Sequence, residues 1–389
     1  MSIDPSDRAE SKRSASRQRR LARLVGVALG ALAVVCSSYA APISNDAKLH
    51  LAAAPEDFKA LTIGNEIGVR EDGRRTPQSS EYFEWWYFDG LFDDGTVFVV
   101  WFGDNWLYGS HKRAVSIDLT PPGKPTRHIV RTFDDPGAFS SDHADVQLGP
   151  HSFKGDLETY AIHVDATDTG GVGCDLTLRR TVASYRPGTG YIEAGDRFFA
   201  WLVAVPEGAV AGTLTADGVT RQVTGSGYHE HNWGNVSPAN LFENWWWGRG
   251  KTGYTIVAAD IHGKAAVGGT RIPLFFVGDD HQVRVNAYGP DVSAVEGGPV
   301  RYPDPKHERP IAARVSYATA DGSRADFKIS DRVLKSVNQL SDQSIFIRAA
   351  AAIMAKKPWY TRFESPMTLK LPEQPPGEGE GTLEYFELN

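Results

Sequence analysis

The residues able to do chemistry in this 389-residue chain gather in four short stretches. Glu84-Trp85-Trp86-Tyr87-Phe88 sets a carboxylate beside four rings, and Tyr228-His229-Glu230-His231-Asn232-Trp233 interleaves two histidines and a glutamate with aromatics. Glu243-Asn244-Trp245-Trp246-Trp247 ends in three indoles, and Asp260-Ile261-His262 follows. Charged groups among apolar rings are costly unless they are paired or used. An acid buried there keeps its proton at neutral pH, and ring faces stabilise a cation formed by giving that proton to an alkene.

Plainer explanations attach to the same residues. Large aromatics fill a wide β core without any chemistry, and a Glu84 inside such a core would be answered by an arginine such as Arg249. His229-x-His231 and Asp260-x-His262 each place two ligands on one strand face, a spacing that suits zinc or non-haem iron. No cysteine set closes such a site, and the preferred reading has no metal. The chain has no GxGxxG after a strand, no GxxxxGK[ST] phosphate loop and no GxSxG elbow, so no cofactor is implied.

The elements that must position these residues read as strands. Alternate residues of a strand share a face, so Trp85 and Tyr87 oppose Glu84, Trp86 and Phe88. By the same rule His229, His231 and Trp233 oppose Tyr228, Glu230 and Asn232. Aromatic and β-branched runs flank Asp93-Asp94-Gly95, Asp217-Gly218, Gly278-Asp279-Asp280 and Asp321-Gly322, each a hairpin signal. Only 343–357, alanine-rich and stopped by Pro358, reads as a helix. So much strand grammar exceeds one barrel and predicts two consecutive β domains, over residues 81–238 and 239–389, after a lead-in segment at 41–80. Gly225-Ser226-Gly227 reads as backbone freedom beside a crowded strand.

Composition narrows the function. Lys+Arg number 41 against 48 Asp+Glu, a net charge of −7, which argues against a nucleic-acid partner. Seven basic residues between Arg8 and Arg23, an apolar run from Leu24 to Val35, and small residues at Ser38 and Ala40 predict a secretory signal over 1–40. The protein is then exported, periplasmic or secreted, unless the segment stays as an anchor. Cleavage removes Cys36, leaves Cys174 alone and takes the net charge to about −11, because the segment carries seven positive and three negative charges. Peripheral membrane contact would therefore have to be apolar.

Taken together, EWWYFDG at Glu84 to Gly90, GYHEHNWGN at Gly227 to Asn235, WWWGRG at Trp245 to Gly250 and GEGEGTLEYFEL at Gly377 to Leu388 resemble a known family. It is the lipocalin-like family of carotenoid 1,2-hydratase (hydroxyneurosporene synthase), which includes AttH-like proteins; the fungal decalin-forming Diels–Alderases are similar in architecture. The resemblance spans roughly residues 60–389 and implies an all-β fold of two consecutive lipocalin-like β-barrels, with a ligand pocket at or between them. In those hydratases a terminal alkene of an isoprenoid is protonated and water adds to the tertiary cation, without cofactor. The associated His-x-Trp pair matches His231-Asn232-Trp233; the Tyr-x-Asp pair falls at Ala258-Ala259-Asp260, where the aspartate is present and the tyrosine is not. Tyr254 would lie on the same strand side but about 13 Å away.

The resemblance thus assigns catalysis to Asp260 as proton donor, Trp233 as cation-facing ring and His231 as the group that orients or deprotonates water. Trp85, Tyr87, Glu84, Tyr228, His229, Trp245, Trp246, Trp247 and Tyr254 form the expected substrate-binding set. The leading expectation is hydration or cyclisation of an apolar isoprenoid or polyene alkene. Two others stand beside it: an exported lipid- or isoprenoid-binding lipocalin without catalysis, and a pericyclase that shapes a polyene. Oligomeric state has no sequence signal.

Overall fold

The computed structural model describes residues 47–75, 81–107, 110–301, 310–338 and 358–388. The signal read over 1–40 and the helix read over 343–357 lie outside the described residues. The described residues form two large antiparallel sheets, as expected for an all-β chain: 13 strands between His50 and Gly234, and ten between Phe242 and Glu387. Each curls around its own core, giving two lipocalin-like barrels in sequence. Among the described residues no helix is long and apolar enough to cross a membrane.

All four hairpins read from the sequence are present. Gly95 and Gly218, with φ of 84° and 75°, take the left-handed positions that their Asp-Gly turns need. The middle of the first sheet runs Val97–Leu107, Tyr82–Phe92, Val219–Gly234, Arg197–Ala216. The middle of the second runs Arg271–Gly278, Thr255–Gly263, Phe242–Lys251, Gly377–Glu387, Trp359–Lys370. At Gly225 an added Cβ would lie 2.1 Å from the Leu91 carbonyl oxygen, so the crowding expected of Gly225-Ser226-Gly227 is real.

Burial sorts the apolar residues into three bodies. One fills the first curl, with Trp86, Phe88, Phe102, Phe153, Tyr160 and Trp233, and one fills the second, with Trp246, Phe275, Tyr317 and Phe363. The third lies between the sheets, where the outer faces of both meet, and includes Trp85, Tyr87, Trp101, Tyr185, Trp201, Tyr228, Trp247 and Tyr360. This explains the unbroken aromatic text of Tyr82–Phe92, whose residues are buried from Phe83 onward. One face lines the first core and the other packs on the second sheet, so neither is left for water. Each large ring so sealed contributes about 1.5–3 kcal/mol.

The lead-in is not a simple linker. A helix at Pro55–Leu61, with proline at its start where the missing N–H costs nothing, leads to a 3-10 turn at Val69–Asp72. Arg186 fixes that turn by an ion pair with Glu71 at 2.6 Å. Asp72 is thereby carried into the first core, where it is 1% exposed.

Candidate active site

Strand register dictates what the two outer faces present to each other. On the first sheet Trp85 stands opposite Asn232, Tyr87 opposite Glu230 and Asp89 opposite Tyr228. On the second, Trp245 stands opposite Phe386, Trp247 opposite Glu384 and Arg249 opposite Thr382, with Arg362 beyond Glu384. Closing one face on the other brings Arg249 Nη2 to Asp89 at 2.9 Å and lays its guanidinium 4.4 Å over the ring of Tyr228. Tyr87 donates to the other oxygen of Asp89 at 3.1 Å, and Trp247 meets Tyr228 edge-on at 5.9 Å.

Charge within this layer does not balance. Among the described residues it holds three carboxyls, Asp89, Glu230 and Glu384, and two guanidiniums. Arg249 takes Asp89, and Arg362 takes Glu384 at 3.1 Å. Glu230 is the carboxyl left over. It receives two neutral hydrogen bonds, from Tyr228 Oη and Trp201 Nε1, both at 2.6 Å and both to Oε2. Burial pushes its carboxyl up to about 7, because the bonds from Tyr228 and Trp201, with a smaller contribution from Asn232, favour the anion by less than desolvation disfavours it, and Glu384 adds like-charge repulsion. Burial also raises Asp89 and Glu384, each opposed by its arginine. The result is an acid that exchanges its proton near neutral pH, walled by Trp201, Tyr228 and Tyr87.

An open cleft of about 810 Å³ lies at one end of this layer, lined by Leu91, Glu207, Ser226, Arg249, Lys251, Thr382, Gly379 and Gly381. Its lining is mixed in polarity and contains none of the tryptophans, which wall the closed layer instead. Arg249 links the two, since it lines the cleft and covers the ring of Tyr228, the donor to Glu230.

A second polar cluster sits inside the first curl. His231 Nε2 lies 2.9 Å from Glu84 Oε1, and its Nδ1 lies 3.6 Å from Asp72. Asp72 also takes His229 Nε2 at 3.0 Å and Tyr160 Oη at 2.5 Å, while Trp86 donates to its backbone carbonyl. His229 Nδ1 faces the Tyr87 carbonyl at 2.8 Å. Trp86 and Trp233 flank the His231 ring, stacked at 4.5 Å and tilted at 4.6 Å. Most of these groups are answered within the set, while His231 Nδ1 and Asp72 Oδ1 are buried with no hydrogen-bond partner among the described residues.

The expected site residues therefore divide. Trp85, Tyr87, Tyr228 and Trp247 meet in the layer between the sheets, with Trp245 packed at its border. Glu84, His229, His231 and Trp233 enter the first core, and Glu84 is answered by His231 and the Arg75 backbone N–H; Arg249 goes to Asp89. Trp246 enters the second core, and Tyr254 lies beside it, donating to Gln374 at 3.1 Å.

Asp260 departs furthest from its expected role. It shares a strand face with Ile256 and Ala258, looking into the second core, so it cannot join His231 and Trp233 in one pocket. Both its oxygens are held by Arg271 Nε, at 2.7 and 2.8 Å, and His262 adds a bond at 3.2 Å. Burial pushes its carboxyl up, but those partners outweigh it and hold Asp260 below the usual carboxylate range. A proton donor at neutral pH is the opposite of that. Asp260, His262 and Glu296 do offer ligand atoms within 4.8 Å of one another, but Arg271 stands among them, 3.6 Å from Glu296, and supplies the positive charge.

No protein-family profile and no curated protein matches this sequence. Solved structures do match in fold. CghA superposes with a TM-score of 0.55 at 15% identity, over 84% of this chain and 96% of its own. Kievitone hydratase from Nectria haematococca gives 0.52 at 15% identity, over 82% and 92%. An AttH-like protein, NE1406 of Nitrosomonas europaea, gives 0.50 at 16% identity, over 88% and 99%. The chain has the fold of these proteins. The likeness covers both barrels and is one of architecture; a carotenoid hydratase is not among these structures. CghA has also been solved with a small molecule, Sch210972.

Five residues of the layer's charge and hydrogen-bond network had no signal in the sequence: Asp89, Trp201, Arg249 as partner of Asp89, Arg362 and Glu384. Glu230 stood in a flagged stretch, but only the charge tally across both sheets singles it out.

Proposed function

We propose that the layer between the barrels hydrates or cyclises an apolar alkene, an isoprenoid or polyene, by proton transfer through Glu230. The carrying observation is that Glu230 is the surplus carboxyl of a sealed aromatic layer, pushed up to about 7 with no guanidinium of its own. The carboxyl O–H protonates one alkene carbon, and the π electron pair becomes the new C–H bond, leaving a tertiary cation beside Tyr228, Trp201 and Trp247. Water adds to the cation and returns a proton to the Glu230 carboxylate, so the net change is alkene plus water to alcohol. With water excluded, a second double bond captures the cation and a neighbouring C–H returns the proton, a cyclisation. Ring faces at about 0.5–2 kcal/mol each favour the cation, and holding the chain folded supplies proximity.

The fold is shared with a protein named for hydration and with one solved around a small molecule, which supports this class of reaction over a carrier role. Export rests on the basic, apolar and small-residue order of residues 8–40. The test is untargeted mass spectrometry of organic extracts after incubation with linear C15 to C40 isoprenoids. Wild-type protein is expected to yield hydrated or cyclised products, and Glu230→Gln to form them at least about 10²-fold more slowly. Substrates recovered unchanged from wild type would favour the carrier.

A further inference from the structure

The same layer holds hydrogen-bond donors that no acceptor among the described residues answers. Tyr185 Oη, Trp85 Nε1 and Trp247 Nε1 are sealed from solvent and meet no acceptor among the described residues. A buried donor left without a partner is costly, and native proteins answer the large majority of them. Arg249 Nη1 and Arg362 Nε of the same layer are likewise unmet, and such a group of donors calls for an acceptor that arrives from outside.

Their placement ties them to Glu230. The Tyr185 ring meets Trp201 edge-on at 6.0 Å and Phe276 of the second sheet at 4.7 Å, and Trp201 is a donor to Glu230. Trp85 and Trp201 both register with Asn232, so they share a row across three strands and stand roughly 10 Å apart. Trp247 packs on Tyr228, the second donor to Glu230. Tyr185 and Trp247 are thus each one ring removed from the acid, and Trp85 stands in the same cross-strand row as Trp201.

Building on the assignment of Glu230, we infer that the substrate is oxygenated: an apolar chain bearing a carbonyl or hydroxyl whose oxygen accepts from Tyr185 and from the indoles of Trp85 or Trp247. A pure hydrocarbon would enter the layer and leave all three donors unmet. Tyr185 is then a specificity-determining residue, with a hydroxyl that works only when substrate is bound.

Tyr185→Phe removes that single oxygen. Because the hydroxyl has no partner among the described residues, the free variant is expected to melt at or above the wild-type temperature. Binding is read by quenching of tryptophan fluorescence with farnesal and farnesene, a C15 aldehyde and a C15 hydrocarbon. Wild type is expected to prefer farnesal by roughly tenfold or more, the scale of one buried hydrogen bond. Tyr185→Phe should lose about that factor for farnesal and keep its farnesene affinity. Equal wild-type affinities, no binding of either probe, or a preference that survives in the variant overturns the inference. So does a melting temperature several degrees lower in Tyr185→Phe, which would show the hydroxyl already bonded in the free protein. The titration reads binding alone: if products form unchanged in Glu230→Gln, the acid fails while the preference stands, and loss of the preference leaves the acid untouched.

Discussion

Trp201 donates its indole N–H to Glu230 at 2.6 Å, and no guanidinium among the described residues answers that carboxyl. Neutral donors alone are too little to hold this buried anion, so the folded protein binds the Glu230 proton more tightly than the unfolded chain does. The ordinary value is 4.5 and the folded value is raised to about 7. The associated stability is therefore fully present below about pH 4.5 and is lost as pH rises through about 7, amounting to about 3 kcal/mol. Denaturant unfolding of wild type and Glu230→Gln at matched pH checks this. The gap between them should move in favour of the variant between about pH 5 and 8.

Catalysis should follow the same proton. Glu230→Gln is expected to lower turnover by about 10²- to 10⁴-fold, the usual range for a lost general acid, with folding intact. The wild-type rate of protonation should fall above about pH 7 as Glu230 ionises. Asp260→Asn, which touches a carboxylate already committed to Arg271 and His262, should retain product formation. Rates from the mass-spectrometric assay across pH separate the two carboxyls.

Tyr228 tunes the acid. Its hydroxyl stabilises the Glu230 anion, so Tyr228→Phe should raise the carboxyl further and move the falling limb of the pH–rate profile to higher pH. The lost bond should cost about 0.5–1.5 kcal/mol of stability by denaturant unfolding.

The pair that balances the other side of the layer is structural. Glu384→Gln leaves Arg362, 2% exposed, without its carboxylate, and should destabilise the protein by about 3–5 kcal/mol. Adding Arg362→Met should recover much of that loss. Thermal or denaturant unfolding of the single and double variants reads both effects.

These assignments show what a sequence can and cannot disclose in a fold of this kind. The hairpins were legible because Asp94-Gly95 and Asp217-Gly218 meet a local requirement for left-handed backbone. The sharing of faces was legible too, since period two places His229, His231 and Trp233 on one side of their strand. Which side looks where was not. Tyr82–Phe92 is buried on both faces, so its hydrophobic pattern carries no inside or outside. Asp260 looked like a lone buried acid because Arg271, eleven residues on, reaches it only through the register of a hairpin. Asp72 rides on an irregular turn with no strand or helix signal to flag it. The isolation of Glu230 is a statement about residues 89, 249, 362 and 384 at once, and it exists only after both sheets have closed.

The most direct measurement is of the proton itself. Infrared difference spectra of wild type minus Glu230→Gln, titrated between about pH 5 and 9, report the carboxyl stretch of this one side chain without any substrate. The account predicts a protonated carboxyl that titrates near pH 7. A carboxyl already ionised at pH 5, titrating near the ordinary glutamate value, would contradict it.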